Sequence, residues 1–553
     1  MIDKSSFARV GRLEGVAPGA GLLVAISASV TTAVALGFLS GGLSAPVALG
    51  ALATGFLFGL LAFLRSGGKA APVPTPWDVV LLVVFALASL RAFLWLLYPV
   101  GDEWRILSPY NLGDISLHIQ FIRYFASGVE FWPASPILSG VPLSYPPGVD
   151  LWNSLLLLTG VPVARGLVWT GLVGAALTAW ALWRWGGAFA IAAFLFNGGL
   201  AGFAVLQSGQ FGDLQADLAW KNLFLTMLVP QRGLLYALPC GLMLLRAWRD
   251  DFFGNGSGLP RAAQFFLYVT MPLFNVHAFL FLSLTLGAIF LFEGRARRRL
   301  LLFVGAALIP ATLAVWLVTG GFSAASGLRW LPGWMQGDEG WRFWAGNFGL
   351  TLPLLAALFW RGFLRGDAES RAFSGAAIGV FVLCLLVAFA PWEWDNTKLL
   401  LWAWVAAAPF LWDRVLAPLP GFARTALCIG LFFSGAMALI GGLDGRHGYQ
   451  LANRTELATT ELALRNVPQS ARIAVEPEFN HPVILLGRPV VCGYEGHLWS
   501  HGLPYRATLA ELRRALQRQP GWMDSARNVG AKWIFLRGNK PEVIQIPPAT
   551  EYF

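Results

Sequence analysis

GLLVAISASVTTAVALGFLS, residues 21–40, contains no charged side chain. As a helix rising 1.5 Å per residue it crosses the ~30 Å hydrocarbon core of a bilayer, where every backbone N–H and C=O must be satisfied without water. Further apolar windows follow at 45–64, 78–98, 162–183, 187–206, 222–246, 262–275, 277–292, 300–318, 347–360, 373–390, 398–413 and 424–441. About thirteen spans are therefore predicted, the seventh, eighth and tenth being short. The composition agrees, since 56% of the 553 residues are hydrophobic, 13% are charged and mean hydropathy is +0.60. One water-soluble core cannot hide that much apolar surface, which excludes a soluble enzyme, a secreted scaffold or a disordered hub.

Lys and Arg in the short connections orient the spans. With Lys4, Arg9 and Arg12 on the cytoplasmic side, the inside segments outnumber the opposite ones roughly threefold in these residues. The apolar run that follows lacks a small-residue cleavage site and reads as a retained first span. The net charge of +10 is thus a topology signal and not a nucleic-acid footprint. Cys240, Cys384, Cys428 and Cys492 are widely spaced and form neither a disulfide framework nor a CxxC site.

This orientation places segment 99–150, GQFGDLQADLAWK (209–221), NVHAF (275–279), GWMQGDEGWRFW (333–344), PWEWDNTK (391–398) and the tail from 442 on one extracytoplasmic face. Three regions follow: a tail and two-helix hairpin over 1–77, a transmembrane core over 78–441, and a small extracytoplasmic α/β domain over 442–553. In that domain RIAVE (472–476), PVILL (482–486) and KWIFL (532–536) read as strands, and TLAELRRALQR (508–518) as an amphipathic helix.

Segment 99–150 carries the densest chemistry. Ile115, Ile119, Ile122, Phe121 and Phe125 suit a helix lying in the interface. Asp114 fits its N-cap, the role that spacing favours; the functional reading is a general base at a water–lipid boundary. His118 lies one turn on, placed to pair with it, orient it or bind an acceptor. Asp102-Glu103 forms a second acidic pair, either a solvated helix end or carboxylates of the kind that Mg²⁺ or Mn²⁺ favours. PLSYPPG (142–148) forbids regular helix, holds Tyr145 in a rigid turn and returns Asp150 to the membrane surface.

In VPQRG, Gln231 and Arg232 fall inside the sixth window, where a cation needs a partner or a wet cavity. His277 sits at an outer turn. Asp395 and Lys398 open the twelfth window, with Lys398 able to snorkel. Together these cations and acids predict one shared cavity, the cations suited to a phosphate and the acids to a hydroxyl or a metal. His497 and His501 in GYEGHLWSHG are spaced i, i+4, but the surrounding glycines predict a loop that packs the domain or closes over the site.

GDISLHIQFIRYFASGVEFWP (113–133) and GVPLSYPPGVD (140–150), then FNGGLAGF, LVPQRGLLYALP, PLFNVHAFLF, WAGNFGL, PWEWDNTKLL and GRPVVCGYEGHLWSHGLPY (487–505), resemble a group of bacterial membrane proteins within the glycosyltransferase C superfamily. That superfamily includes protein O-mannosyltransferases and lipid A aminoarabinose transferases, and the resemblance runs from about 78 to 530. It implies a bacterial inner-membrane enzyme transferring a hexosyl or pentosyl group, with inversion, from a polyprenyl-phosphate carrier to a glycan, lipid or protein acceptor outside the cytoplasm. It also implies Asp114 as the first-loop acid, with Asp102-Glu103 as the rival, and no covalent intermediate or ATP. Residues 21–64 have no counterpart in that pattern. A lipid-linked sugar flippase and an accessory subunit with a partner in a membrane complex are the competing readings. Transport predicts polar residues through the full membrane depth, whereas these crowd one face.

Overall fold

The computed structural model describes residues 15–67, 73–209, 215–322, 328–445, 448–538 and 540–548. Lys4, Arg9, Arg12, Lys69 and residues 210–214 of the acidic connection lie outside them. The chain is a mainly α, polytopic membrane protein with small sheets at one end. Among the described residues eight helices are long and apolar enough to cross a membrane, or nine if Trp341–Phe348 and Thr351–Leu364, bent by 84°, form one span. Their outward faces carry large apolar side chains, such as Leu39 and Ile309, that only lipid can cover.

The thirteen windows differ from these helices where glycine, proline or asparagine breaks the backbone inside an apolar run. The fourth and fifth windows appear as one helix, Val163–Leu195, interrupted at Gly186 and Gly187. A Cβ on Gly171 would meet the ring of Phe93 and one on Gly187 the carboxylate of Asp78, yet Phe194 stacks on Phe85 at 6.1 Å. The chain thus descends along helix Pro76–Leu94, turns at Gly186–Gly187 and climbs back. Gly187 has φ +58°, which a side chain would disfavour. The sixth window breaks between a π-turn, Phe224–Leu228, and helix Leu234–Phe252. Arg232 therefore sits at a helix junction and not deep within a span as expected. The seventh and eighth windows become Arg261–Thr270 and Val276–Phe292, separated by Pro272 and Asn275.

The strands are β1 (Tyr98–Val100), β2 (Glu103–Ile106), β3 (Arg329–Trp330), β4 (Val387–Ala388), β5 (Tyr449–Asn453), β6 (Ile473–Ala474), β7 (Trp533–Leu536) and β8 (Glu542–Gln545). β2 pairs antiparallel with both β1 and β5, Glu103 facing Asn453 and Trp104 facing Ala452. The first long connection and the tail are thereby fixed on the same face. β3 pairs with β4, while β6 runs parallel to β7 and β8 antiparallel to it. The expected strand 482–486 is instead a short helix, Pro482–Leu485, because the side chain of His481 caps its start and Pro482 presets its φ. Arg506–Leu516 is the expected amphipathic helix.

Helix Asp114–Ala126 does not lie on a lipid interface. Ten of its 13 residues are buried. It packs on Gly148–Leu158 and Pro482–Leu485, with Gln120 donating to the carbonyl of Arg488 at 3.2 Å. A first-loop helix walled on both sides by protein can present its start to an enclosed space.

Candidate functional site

That start is built around Gly113. Its φ of +87° is open to glycine, so Gly113 occupies the position before the helix and Asp114 becomes the first helical residue. The expected N-cap role is not taken. The Asp114 carboxylate caps nothing and forms no hydrogen bond among the described residues. It lines a cavity of about 520 Å³ with Tyr110, Lys221, Gln231, Trp392 and Trp394. Removal from water raises its pKa from 3.8 to about 6 and prevails over the opposing charges of His118 and Lys398, while Asp395 adds to the rise.

His118 does not pair with Asp114. Its Nδ1 lies 2.9 Å from Oδ1 and 3.1 Å from Oδ2 of Asp150, and both side chains are almost wholly buried. The Pro146-Pro147 turn makes this possible by starting helix Gly148–Leu158 with Asp150 in its first turn. Tyr145, from the same turn, lies 5.0 Å from the ring of Phe121, 6.3 Å from His118 and 5.5 Å from His501. Burial, reinforced by Asp150, Asp114 and Asp395, raises its phenol pKa well above the ordinary value, so it stays protonated and can donate.

Lys398 does not simply snorkel to water. Its Nζ is 2.9 Å from Asp395 and both side chains are largely enclosed. Lys398 lies within electrostatic reach of Asp114, His277 and His501. His277 stands in the first turn of helix Val276–Phe292, which Asn275 caps through the amide of Ala278 at 2.8 Å. Gln231 reaches the cavity wall. Arg232 is 1% exposed. One of its nitrogens donates to the carbonyl of Leu167 at 2.6 Å, while Nε and Nη1 have no protein partner. Asp150 is the acid within its electrostatic reach.

A second, apolar hollow of about 180 Å³ is lined by Leu22, Leu23, Ile26, Val149, Trp169 and Leu235 among others. Leu22 and Trp169 are exposed at its mouth, facing where lipid lies. The N-terminal helix Ala17–Ser40 thus forms part of its wall.

Asp102 and Glu103 are not brought to the cavity. Asp102 accepts from the hydroxyl of Thr455 at 3.0 Å, and Glu103 pairs with Arg105 at 2.7 Å. Among the described residues no group of three or more His, Cys, Asp or Glu is disposed to hold a metal, so this acidic pair does not fit the divalent-cation site considered for it.

The tail packs beside the cavity. Residues Glu495–Ser500 form a short helix where a loop was expected, and the amide of His501 donates to the carbonyl of His497 at 3.1 Å. A Cβ on Gly113 would lie 3.3 Å from Nε2 of His497, and one on Gly502 would lie 2.7 Å from Cγ of Pro391. Trp499 packs 5.8 Å from Trp392. Burial lowers the pKa of His497 to about 3, with His501 contributing, and that of His501 to about 4, with Lys398 contributing. Both imidazoles are neutral near pH 7.

Sequence reasoning missed the His118–Asp150 pairing and the cavity roles of Tyr110, Trp392 and Trp394. The indole of Trp394 donates to the carbonyl of Ala219 at 2.9 Å and ties two outer segments together. The WEW triplet ahead of Lys398 was the available signal.

No family model matches the chain, and no curated protein matches it. Among solved structures the chain is similar to the Archaeoglobus fulgidus oligosaccharyltransferase in the apo form, at 12% identity and a TM-score of 0.43, over 83% of this chain and 69% of that one. It is similar also to the same enzyme tethered through a disulfide bond to an acceptor peptide containing the NVT sequon, at 12% identity, a TM-score of 0.42 and the same coverage.

Proposed function

We propose that the chain is an inverting membrane glycosyltransferase. Its donor is a sugar carried on a polyprenyl phosphate, and its acceptor is a hydroxyl-bearing glycan, lipid or protein in the extracytoplasmic compartment of a bacterial inner membrane. One observation carries this reading: Asp114 presents an unbonded carboxylate, its pKa raised to about 6, to a cavity at one end of the membrane helices. A general base is most effective with its pKa near the working pH and a hydroxyl within reach.

The chemistry is a single displacement. The acceptor oxygen attacks the anomeric carbon, Asp114 takes the hydroxyl proton, and the bond from that carbon to the phosphate oxygen breaks with its electron pair leaving on the lipid phosphate. Back-side attack inverts the centre. Arg232, with two uncommitted donors, and Lys398 are the cations suited to the departing phosphate. The apolar hollow lined by Ile26 and Leu235 suits isoprene units of the carrier. Tyr145 and His118 border the acceptor side, and the neutral His497 and His501 hold the tail across the opening. No step requires a metal.

The test is reconstitution of the purified chain in liposomes containing a labelled polyprenyl-phosphate sugar, with an acceptor supplied on one side. Transfer of label to the acceptor, with the opposite anomeric configuration in the product, is expected. Label that changes leaflet while remaining on the lipid identifies a flippase and refutes the proposal.

A further inference from the structure

On the opposite face a second charged hollow has no part in that reaction. It encloses about 280 Å³ and is lined by Val16, Trp180, Arg184, Arg246, Asp250 and the backbone of Gly256–Gly258, among others. Its position follows from the chain path, since Arg184 precedes the Gly186–Gly187 turn and Arg246 and Asp250 end helix Leu234–Phe252.

Among the described residues the charges lining it are not balanced. Arg246 Nε donates to Asp250 at 3.0 Å, and its Nη1 donates to the carbonyl of Arg184 at 3.3 Å. That leaves two guanidinium groups sharing one carboxylate. Arg184 Nη1 is buried and has no partner among the described residues, an arrangement that costs stability until an acceptor arrives. Two other cations on this face are matched: Arg249 bonds Glu369 and Arg414 bonds Asp367. Asp251 accepts from the amide of Ser257 and from Gln264 and forms no ion pair with Arg184.

The remaining wall suits an anion too. The glycines of GNGSG (254–258) bring backbone rather than side chain to the hollow. A neighbouring hollow of about 500 Å³ shares Gly67 and Gly256–Gly258 and adds Arg65. Guanidinium groups match phosphate oxygens in planar, paired geometry, and basic pockets between membrane helices hold phosphorylated headgroups. Trp180 adds an apolar and indole surface at the depth where headgroup meets acyl chain.

We propose that this hollow is a binding site for a phosphate-bearing anion, with Arg184 and Arg246 as its ligands. Such a group arrives either as the headgroup of an anionic phospholipid or as a soluble phosphate. Occupancy would tie the N-terminal hairpin, the Gly186–Gly187 turn and the end of helix Leu234–Phe252 together on the face remote from Asp114.

The test is the thermal unfolding midpoint of the purified full chain in detergent at fixed ionic strength, titrated separately with phosphatidylglycerol, phosphatidylcholine and inorganic phosphate. A saturable rise with phosphatidylglycerol alone assigns the site to a lipid headgroup, and a saturable rise with inorganic phosphate assigns it to a soluble ligand. In either case Arg184→Gln should weaken the apparent affinity tenfold or more, Arg184→Lys should weaken it less, and Arg298→Gln, on the same face but outside the hollow, should leave it unchanged. If Arg184→Gln does not fold, Arg246→Gln supplies the same comparison. A rise of equal size and affinity in the glutamine variant, equal rises with phosphatidylglycerol and phosphatidylcholine, or no rise with any ligand, overturns the proposal.

Discussion

His118 Nδ1 lies 2.9 Å from Asp150 Oδ1, across 32 residues of chain. The pair joins the start of the Gly148–Leu158 helix to the middle of the Asp114–Ala126 helix. In the tautomer whose Nδ1–H donates to Asp150, Nε2 of His118 is the lone-pair nitrogen. Asp150 is in this account a positioning residue. Asp150→Asn should lower transfer roughly tenfold to a hundredfold, the range for losing the partner that orients a functional imidazole. The pH profile, set by Asp114, should keep its shape. Asp150→Ala leaves a buried imidazole unpaired and should cost about 3 kcal/mol of stability, read from denaturant unfolding.

Arg232 combines 1% exposure with two nitrogens that lack protein partners. A side chain retained for packing would not be left in that state. Arg232→Met should therefore fold at least as stably as the parent, since it removes a buried, underbonded cation. At the same time the KM for the lipid donor should rise roughly tenfold or more, with Arg232→Lys intermediate. Thermal unfolding and donor titration on the same preparations check both statements. Loss of folding in Arg232→Met would instead mark Arg232 as structural.

The apolar hollow offers a separate check. Ile26 lines it from the N-terminal helix. Ile26→Trp should fill the space and raise the KM for a long-chain polyprenyl donor several-fold, while leaving a short, water-soluble donor analogue unaffected. Equal effects on both donors would mean that the hollow takes no carrier chain.

Gly502 has φ +68° and stands against Pro391. Gly502→Val meets a disfavoured backbone conformation and a steric clash together. It should lift the tail from the Trp392 side and lower transfer, and limited proteolysis should show the 493–503 stretch more readily cut. Unchanged cleavage and activity would remove the closing role from this stretch.

The membrane class and the convergence of polar segments on one face were legible because apolar length and Lys/Arg bias act over whole windows. Position within those windows was not. Arg232 was placed too deep because Val229 and Leu234 continue the apolar pattern across a break made by Pro230 and Gly233. PVILL looked like a strand because its β-branched residues dominate a run too short for periodicity, whereas His481 and Pro482 decide the helix. Spacing favoured Asp114 as a cap because it cannot reveal the +87° φ of Gly113, which takes that position. The partner of His118 lay beyond a proline-rich turn, where helical spacing carries no information.

The central claim is that Asp114 removes the acceptor proton. Its pKa of about 6 predicts a transfer rate that is flat above pH 7 and falls about tenfold per unit well below pH 6. Because folding raises this carboxyl from 3.8, the folded state binds the proton more tightly, and stability should decline as pH rises from about 4 to 6. The direct measurement is the pH–rate profile of the reconstituted parent beside Asp114→Asn. The account predicts an ascending limb near pH 6 in the parent, a loss of at least a hundredfold in the variant, and a variant no less stable than the parent at pH 7. Full transfer by a folded Asp114→Asn, with the limb near pH 6 intact, would contradict it.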